Sequence, residues 1–202
     1  MKHKFTLIYE LDTTVPCAVA AYLDAEHYAF LHSKYSPVYE VLRHDDRTIT
    51  VRQTWRYGGR RVGQVYTCEY QPPARFLNYD LRPSPPWWPS IHHVMKTRTD
   101  LRYYPNEAGT ATVSHLDVEL DLPFFLWPLR RVIERKMCAL KREKDDEDIA
   151  MIERRAKIFG RGNIKSYLAD HQFMLHKDDF VEHFGGADAE PPPAPSADRA
   201  RV

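Results

Sequence analysis

Residues 24 to 32 read Asp24-Ala25-Glu26-His27-Tyr28-Ala29-Phe30-Leu31-His32, which sets one carboxylate and two imidazoles at the spacing D-x-x-H-x-x-x-x-H. Imidazole nitrogen and carboxylate oxygen are donors that divalent transition metals accept. On an ideal helix His27 and His32 would point about 140° apart, since each residue advances about 100°, so their convergence on one ion needs a distorted or ending helix. A plainer assignment stands beside this one. Asp24 is then a helix N-cap and the two histidines sit at the surface or the edge of the core.

Other chemistry-bearing residues carry weaker patterns. His92 and His93 fall in a segment whose texture predicts a strand, where adjacent side chains face opposite ways and cannot both line one site. His115 shares a predicted strand face with Asp117 and Glu119 and is expected to face solvent. Trp55, Tyr66, Tyr70, Tyr79 and Arg98 lie on predicted strands, and the sequence leaves open which faces are inner. Trp87, Trp88, Phe124, Phe125 and Trp127, with Arg130 and Arg131 after them, form either an aromatic rim that touches a membrane peripherally or guards a cavity mouth, or a cover over the core. Cys17, Cys68 and Cys138 are three in number and lack paired spacing, which fits a reducing compartment, so a cytoplasmic location is expected. No Ser-His-Asp spacing, phosphate-cradling glycine loop or zinc-type cysteine pattern is present, so nucleophilic hydrolysis and nucleotide binding find no support.

These residues need a scaffold, and the rest of the sequence outlines one. A chain of 202 residues with 43% hydrophobic content supports one sizeable core. With 29 Lys and Arg against 28 Asp and Glu, it lacks the basic excess of a general nucleic-acid binder. The first residues lack the continuous apolar run of a signal peptide, and no apolar stretch approaches the roughly 20 residues of a membrane span. Phe5, Leu7, Tyr9 and Leu11 alternate with polar residues and predict a first strand. Thr14 and Pro16 open a short helix through Leu23, and a second is expected from about Asp24 to His32. Strands follow over Arg47 to Tyr57, Val62 to Tyr70, Arg75 to Leu81, His92 to Tyr104 and Thr110 to Leu122, divided by glycine and proline turns such as Gly58-Gly59. From Leu129 to Phe159 apolar residues recur every three or four positions, predicting one long helix or two joined at a kink, with Gly160 as its cap. Residues 161 to 184 are expected to add small helices that pack back on the domain of residues 1 to 160. Residues 185 to 202, with three consecutive prolines, are expected to form a tail without fixed structure.

This order of elements, α+β with a curved antiparallel sheet around a long C-terminal helix, resembles the helix-grip fold of the START or Bet v 1-like superfamily over roughly residues 3 to 160. The resemblance implies a cavity for a hydrophobic or aromatic small molecule. The D-x-x-H-x-x-x-x-H segment is similar to the mononuclear-iron motif in the catalytic domain of Rieske non-heme iron oxygenases, itself a helix-grip domain. Glu147-Asp148-Ile149-Ala150-Met151-Ile152-Glu153 resembles that family's matching segment on the long helix. The resemblance implies an Fe(II) centre held by His27, His32 and Asp148, with Asp24 linking it to a cluster in a neighbouring subunit. No cysteine here is followed by a histidine two or three positions on, so electrons would come from a separate protein. The alternative readings of the same chain are a solvated acidic run around Asp148 and a non-catalytic carrier or sensor of an apolar ligand.

Overall fold

The computed structural model describes residues 1–24, 38–57, 60–87, 90–159 and 175–185. Seven strands form one antiparallel sheet in the order β1-β7-β6-β5-β4-β3-β2. They are β1 (Lys2–Leu11), β2 (Val38–His44), β3 (Thr48–Tyr57), β4 (Arg60–Gln71), β5 (Arg75–Pro83), β6 (Lys96–Pro105) and β7 (Thr112–Asp121). Each strand from β2 to β7 pairs with its neighbour in sequence, and β1 closes the order by pairing with β7 from Lys2↔Asp121 to Leu11↔Thr112.

The alternation read from the sequence is borne out on β1. His3, Leu7 and Leu11 are buried with Phe5 and Tyr9 half-buried, while Lys4, Ile8 and Glu10 face outward. On β7 the same period buries Ser114, Leu116, Val118 and Leu120 and leaves His115, Asp117 and Glu119 on the outer face, as expected. His115 Nδ1 lies 3.7 Å from Asp117 there. His92 and His93 are a correction. They lie on a 3-10 turn, Ile91–His93, because Ser90 Oγ accepts from the His92 backbone N–H at 3.2 Å and winds the chain before β6 begins at Lys96.

Helix α1 (Val15–Leu23) begins after extended Thr14 with Pro16 in its first turn, where a missing N–H costs nothing. Thr14 supplies no side-chain cap. The helix is nearly all small and apolar, and Ala18, Val19, Ala20 and Ala21 are buried in the main core. The long helix is a single element, α2 (Arg130–Phe159), reached through a 3-10 segment, Phe124–Leu129. Its Ile133, Met137, Ile149 and Ile152 join the core with β1 and α1, and Glu134 ties it to β1 through a 2.8 Å contact with His3 Nε2. Helix α3 (Lys177–Phe184) packs back as expected, burying Phe180 and Phe184 in the same core. Asp178 and Asp179 in its first turn and His183 in its last suit the helix dipole. Among the described residues no helix is long and apolar enough to cross a membrane.

Candidate functional site

On the inner face of the sheet, β3 supplies Ile49 and Val51, β4 supplies Tyr66, Cys68 and Tyr70, and β5 supplies Phe76 and Asn78. The pairing Val51↔Tyr66 and Ile49↔Cys68 sets the β3 and β4 residues side by side, and Cys68↔Asn78 carries the row onto β5. Tyr39 on the neighbouring edge strand β2 extends the row, and over it lie Tyr22 and Leu23 at the end of α1 and Leu175 and His176 just before α3. These residues enclose a cavity of about 20 Å³, room for one water and at most two.

The walls are held by specific contacts. The Tyr22 ring lies 4.1 Å from that of Phe76, and the Tyr70 ring stacks with Phe76 at 5.1 Å. Tyr66 donates from its hydroxyl to Gln53 Oε1 at 3.1 Å, and Tyr70 donates to the Pro73 carbonyl at 2.9 Å. Asn78 Nδ2 donates to Tyr22 Oη at 3.2 Å and to Thr99 Oγ1 at 3.0 Å. Leu175 N–H donates to the Leu23 carbonyl at 2.9 Å, fixing the last wall against the end of α1. His176 adopts the left-handed backbone region, φ 53° and ψ 37°, which aims its ring back at Asp46. Since Nδ1 lies 2.8 Å from the Asp46 carbonyl, that nitrogen carries the proton and Nε2 of the neutral ring is the acceptor.

The chamber is electrically quiet. Burial raises Tyr22 and Tyr66 well above the usual phenol range and raises Tyr39 and Tyr70 as well. Burial pushes the Cys68 thiol up to about 12 and pushes His176 below the ordinary imidazole value. All of these groups are therefore neutral near pH 7, and a Cys68 thiolate, the form that attacks, is nearly absent. Two buried amide atoms beside the chamber, Asn78 Oδ1 and Gln53 Nε2, have no hydrogen-bond partner among the described residues. Each leaves a desolvated polar atom that costs about 1 to 3 kcal/mol until something satisfies it.

Of the residues picked out in the sequence, Tyr66 and Tyr70 line this chamber. Tyr79 lies on the other face of β5, near Glu69, and Arg98 is exposed on β6. The Trp55 side chain lies outside the described residues, as do His27, His32, Trp88, the Gly58-Gly59 turn, the Gly160 cap and the tail beyond Gly185. Asp24 ends α1, and the second helix expected from about Asp24 to His32 lies, beyond Asp24, outside the described residues. Asp24 is the C-cap, 1% exposed, with its N–H on the Ala20 carbonyl. Asp148 is half-buried on α2, at the end of the acidic run that starts at Asp145 and next to Ile149 of the core. Among the described residues no group of three His, Cys, Asp or Glu side chains is placed to hold a metal. The two nitrogen donors on which the expected ferrous site draws, His27 and His32, lie outside the described residues. The sequence reading missed Tyr22, Tyr39, Cys68, Asn78 and His176. The spacing Tyr66, Cys68, Tyr70 on one strand face was the available signal for the wall, and nothing in the sequence placed His176 opposite it.

No protein-family model and no curated protein matches the sequence. Solved structures do match in shape. The Zhui aromatase/cyclase from Streptomyces sp. R1128 aligns with a TM-score of 0.63 at 11% identity, over 80% of this chain and 99% of that one. Human STARD10 aligns at 0.56 and 13% identity, over 88% and 72% of the two chains. A START superfamily protein from Mycobacterium smegmatis aligns at 0.50 and 12% identity, over 78% and 99%. The chain therefore has the START/Bet v 1 helix-grip fold, and these neighbours lend no support to the resemblance to Rieske oxygenases.

Proposed function

We propose that this chain binds a neutral hydrophobic or aromatic small molecule in the chamber between the sheet, α1 and the Leu175-His176 wall. The observation that carries the reading is the chamber's lining. Aromatic and aliphatic surface surrounds a few un-ionised polar groups, the composition by which proteins hold apolar ligands and fix their orientation. A charged ligand would enter without a countercharge and suffer a large desolvation penalty. A neutral ring with one N–H or O–H would instead bury its apolar surface and satisfy Asn78 Oδ1. That the fold neighbours include proteins named as START and aromatase/cyclase is consistent with a ligand-holding cavity.

Size sets the terms of entry. A cavity of about 20 Å³ is far below the several hundred Å³ that hold a drug-sized ligand, so binding requires a wall to move. The sheet side is fixed by the ladders of β3, β4 and β5, whereas among the described residues Leu175 and His176 are tied to elements other than α3 by one backbone and one side-chain hydrogen bond and by ring contacts of His176. Those two residues are the wall that yields.

Titration with indole, a neutral ring with one N–H, followed by NMR shifts of the chamber side chains, tests the reading. Saturable shifts at Tyr66, Cys68 and Asn78 are expected, and Ile49→Phe, which fills the space, should reduce affinity at least tenfold while the protein still melts cooperatively. Indole shifts that persist unchanged in Ile49→Phe would put the binding site elsewhere.

A further inference from the structure

The chamber does not involve the most exposed apolar side chain among the described residues, Phe124, which lies where the sheet hands over to α2. Phe124 is 81% exposed and Phe125 55%, their rings 5.7 Å apart and edge to face. Leu129 and Val132 continue the exposed apolar surface onto the first turn of α2. Arg130 covers the half-buried Trp127 ring at 4.7 Å. The segment before β6 emerges at the same end of the sheet, because Lys96 at the start of β6 pairs with Asp121 at the end of β7, and it too is apolar and exposed at Ile91 and Val94.

Charge singles out the partner. From Arg130 to Arg142 the helix carries six Lys and Arg against one acid, Glu134, and that acid is already engaged by His3 and Arg131. Arg130 and Arg131 sit in a first turn that holds no acid, where the helix dipole disfavours cations. A surface partner rich in anionic groups would turn that arrangement into an attraction. Rings that sit at headgroup depth, flanked by long cationic side chains that reach phosphates, match the interface of an anionic bilayer. A second copy of the same patch would bring cations against cations.

We infer that the Phe124–Leu129 segment and the basic first half of α2 form a docking surface for an anionic lipid bilayer. The inference is independent of the chamber, since none of its residues lines that cavity.

The test is sedimentation of the full chain with vesicles of phosphatidylcholine alone and of phosphatidylcholine mixed with phosphatidylserine. Binding is expected only to the anionic vesicles and should weaken as salt is raised. Phe124→Ser with Phe125→Ser should weaken it at least tenfold. Arg135→Gln with Lys136→Gln, removing two exposed cations, should weaken it about 25-fold, from about fivefold for each charge near the surface. All four positions are exposed, so both variants should melt as the parent does. No binding to anionic vesicles at low salt, equal binding to phosphatidylcholine alone, or parental binding by either variant would overturn the inference. So would a concentration-dependent dimer that Phe124→Ser with Phe125→Ser abolishes while vesicles bind neither protein, since the patch would then belong to a second copy.

Discussion

Asp100 stands on the outer face of β6 between two arginines, and its chemistry shows how one residue is tuned by its register. Arg75 reaches it from β5 with Nε at 2.9 Å and Nη2 at 2.7 Å, and Arg102 reaches it along β6 through Nε at 3.1 Å and through Nη2. Burial opposes the carboxylate charge, but the hydrogen bonds from Arg75 and Arg102 outweigh it and hold the carboxyl below its usual range. A carboxyl whose folded-state value is depressed stabilises the fold at pH values above its unfolded value, and that contribution disappears as pH falls through the folded value. Asp100→Asn should therefore cost about 1 to 2 kcal/mol at pH 7, the upper part of the range being trimmed because Arg75 is partly exposed. In urea titrations the gap between parent and variant should close below about pH 4. A gap of constant size down to pH 2 would show that packing, and not charge, holds the three residues together. The same contrast of scale explains what was legible at the chamber. Tyr66 and Tyr70 stood out as aromatics on a clear strand, but their inward orientation came from Val51↔Tyr66 pairing, which is a tertiary fact. His176 was unreadable for the same reason, because its partner is the carbonyl of Asp46, 130 residues away.

Elements with a buried face and an exposed face announced themselves, and those without did not. Strands β1, β3, β4 and β7 were legible because one face is apolar and the other is not. Edge strand β2 had no sequence signature, since six of its seven residues are exposed and no alternation is written into it. Helix α2 runs unbroken through the charged stretch from Lys141 to Asp148 because Lys, Arg and Glu are good helix formers, so a lost apolar stripe does not break a helix. The 3-10 turn at His92 was hidden by neighbours with strand texture, and a local Ser90 cap decided it. The junction of β4 and β5 carries a sharper element-scale feature. Asp80 takes φ 55° where the β4–β5 register shifts, and beyond it Ser84 folds back on Gly63, its N–H donating to the Gly63 carbonyl at 2.8 Å. A Cβ on Gly63 would lie 2.0 Å from the Ser84 carbonyl oxygen, which is backbone and cannot swing aside. Gly63→Ala should destabilise by about 2 to 3 kcal/mol, as overpacking does. At about 2 to 4 °C per kcal/mol in a domain of this size, a calorimetric midpoint several degrees lower is expected. An unchanged midpoint would mean that the two segments do not approach this closely.

At the scale of the whole molecule, the end of α1 and the Leu175-His176 segment, more than 150 residues later in the chain, meet at the chamber, and stability and binding are thereby set against each other. Phe180 and Phe184 anchor α3 in the core, each contributing about 1.5 to 3 kcal/mol of burial, while Leu175 and His176 ahead of them close the cavity through two hydrogen bonds worth about 1 kcal/mol each. A ligand that displaces the wall must first break those bonds, which lowers its apparent affinity by the population of the open state. His176→Asn shortens the side chain while keeping a residue that tolerates the left-handed backbone, so the strain of the position is not what changes. The variant should lower the melting midpoint without ligand and tighten indole binding about tenfold, two shifts of opposite sign. Proton linkage adds an independent signature. Burial, with His44 nearby and against the pull of the Asp46 carbonyl and Asp179, holds the His176 value below 6.5. Its stabilising contribution is therefore present above pH 6.5 and is lost as pH falls through the folded value. Protonation expels the ring toward water and favours the open wall, so indole affinity in the parent should rise as pH drops from about 6.5 to about 5, and His176→Asn should lack that rise. Calorimetric midpoints and indole dissociation constants measured together across that range check both arms. A variant that loses stability and affinity in parallel would show that the His176 wall forms part of the binding surface instead of obstructing it.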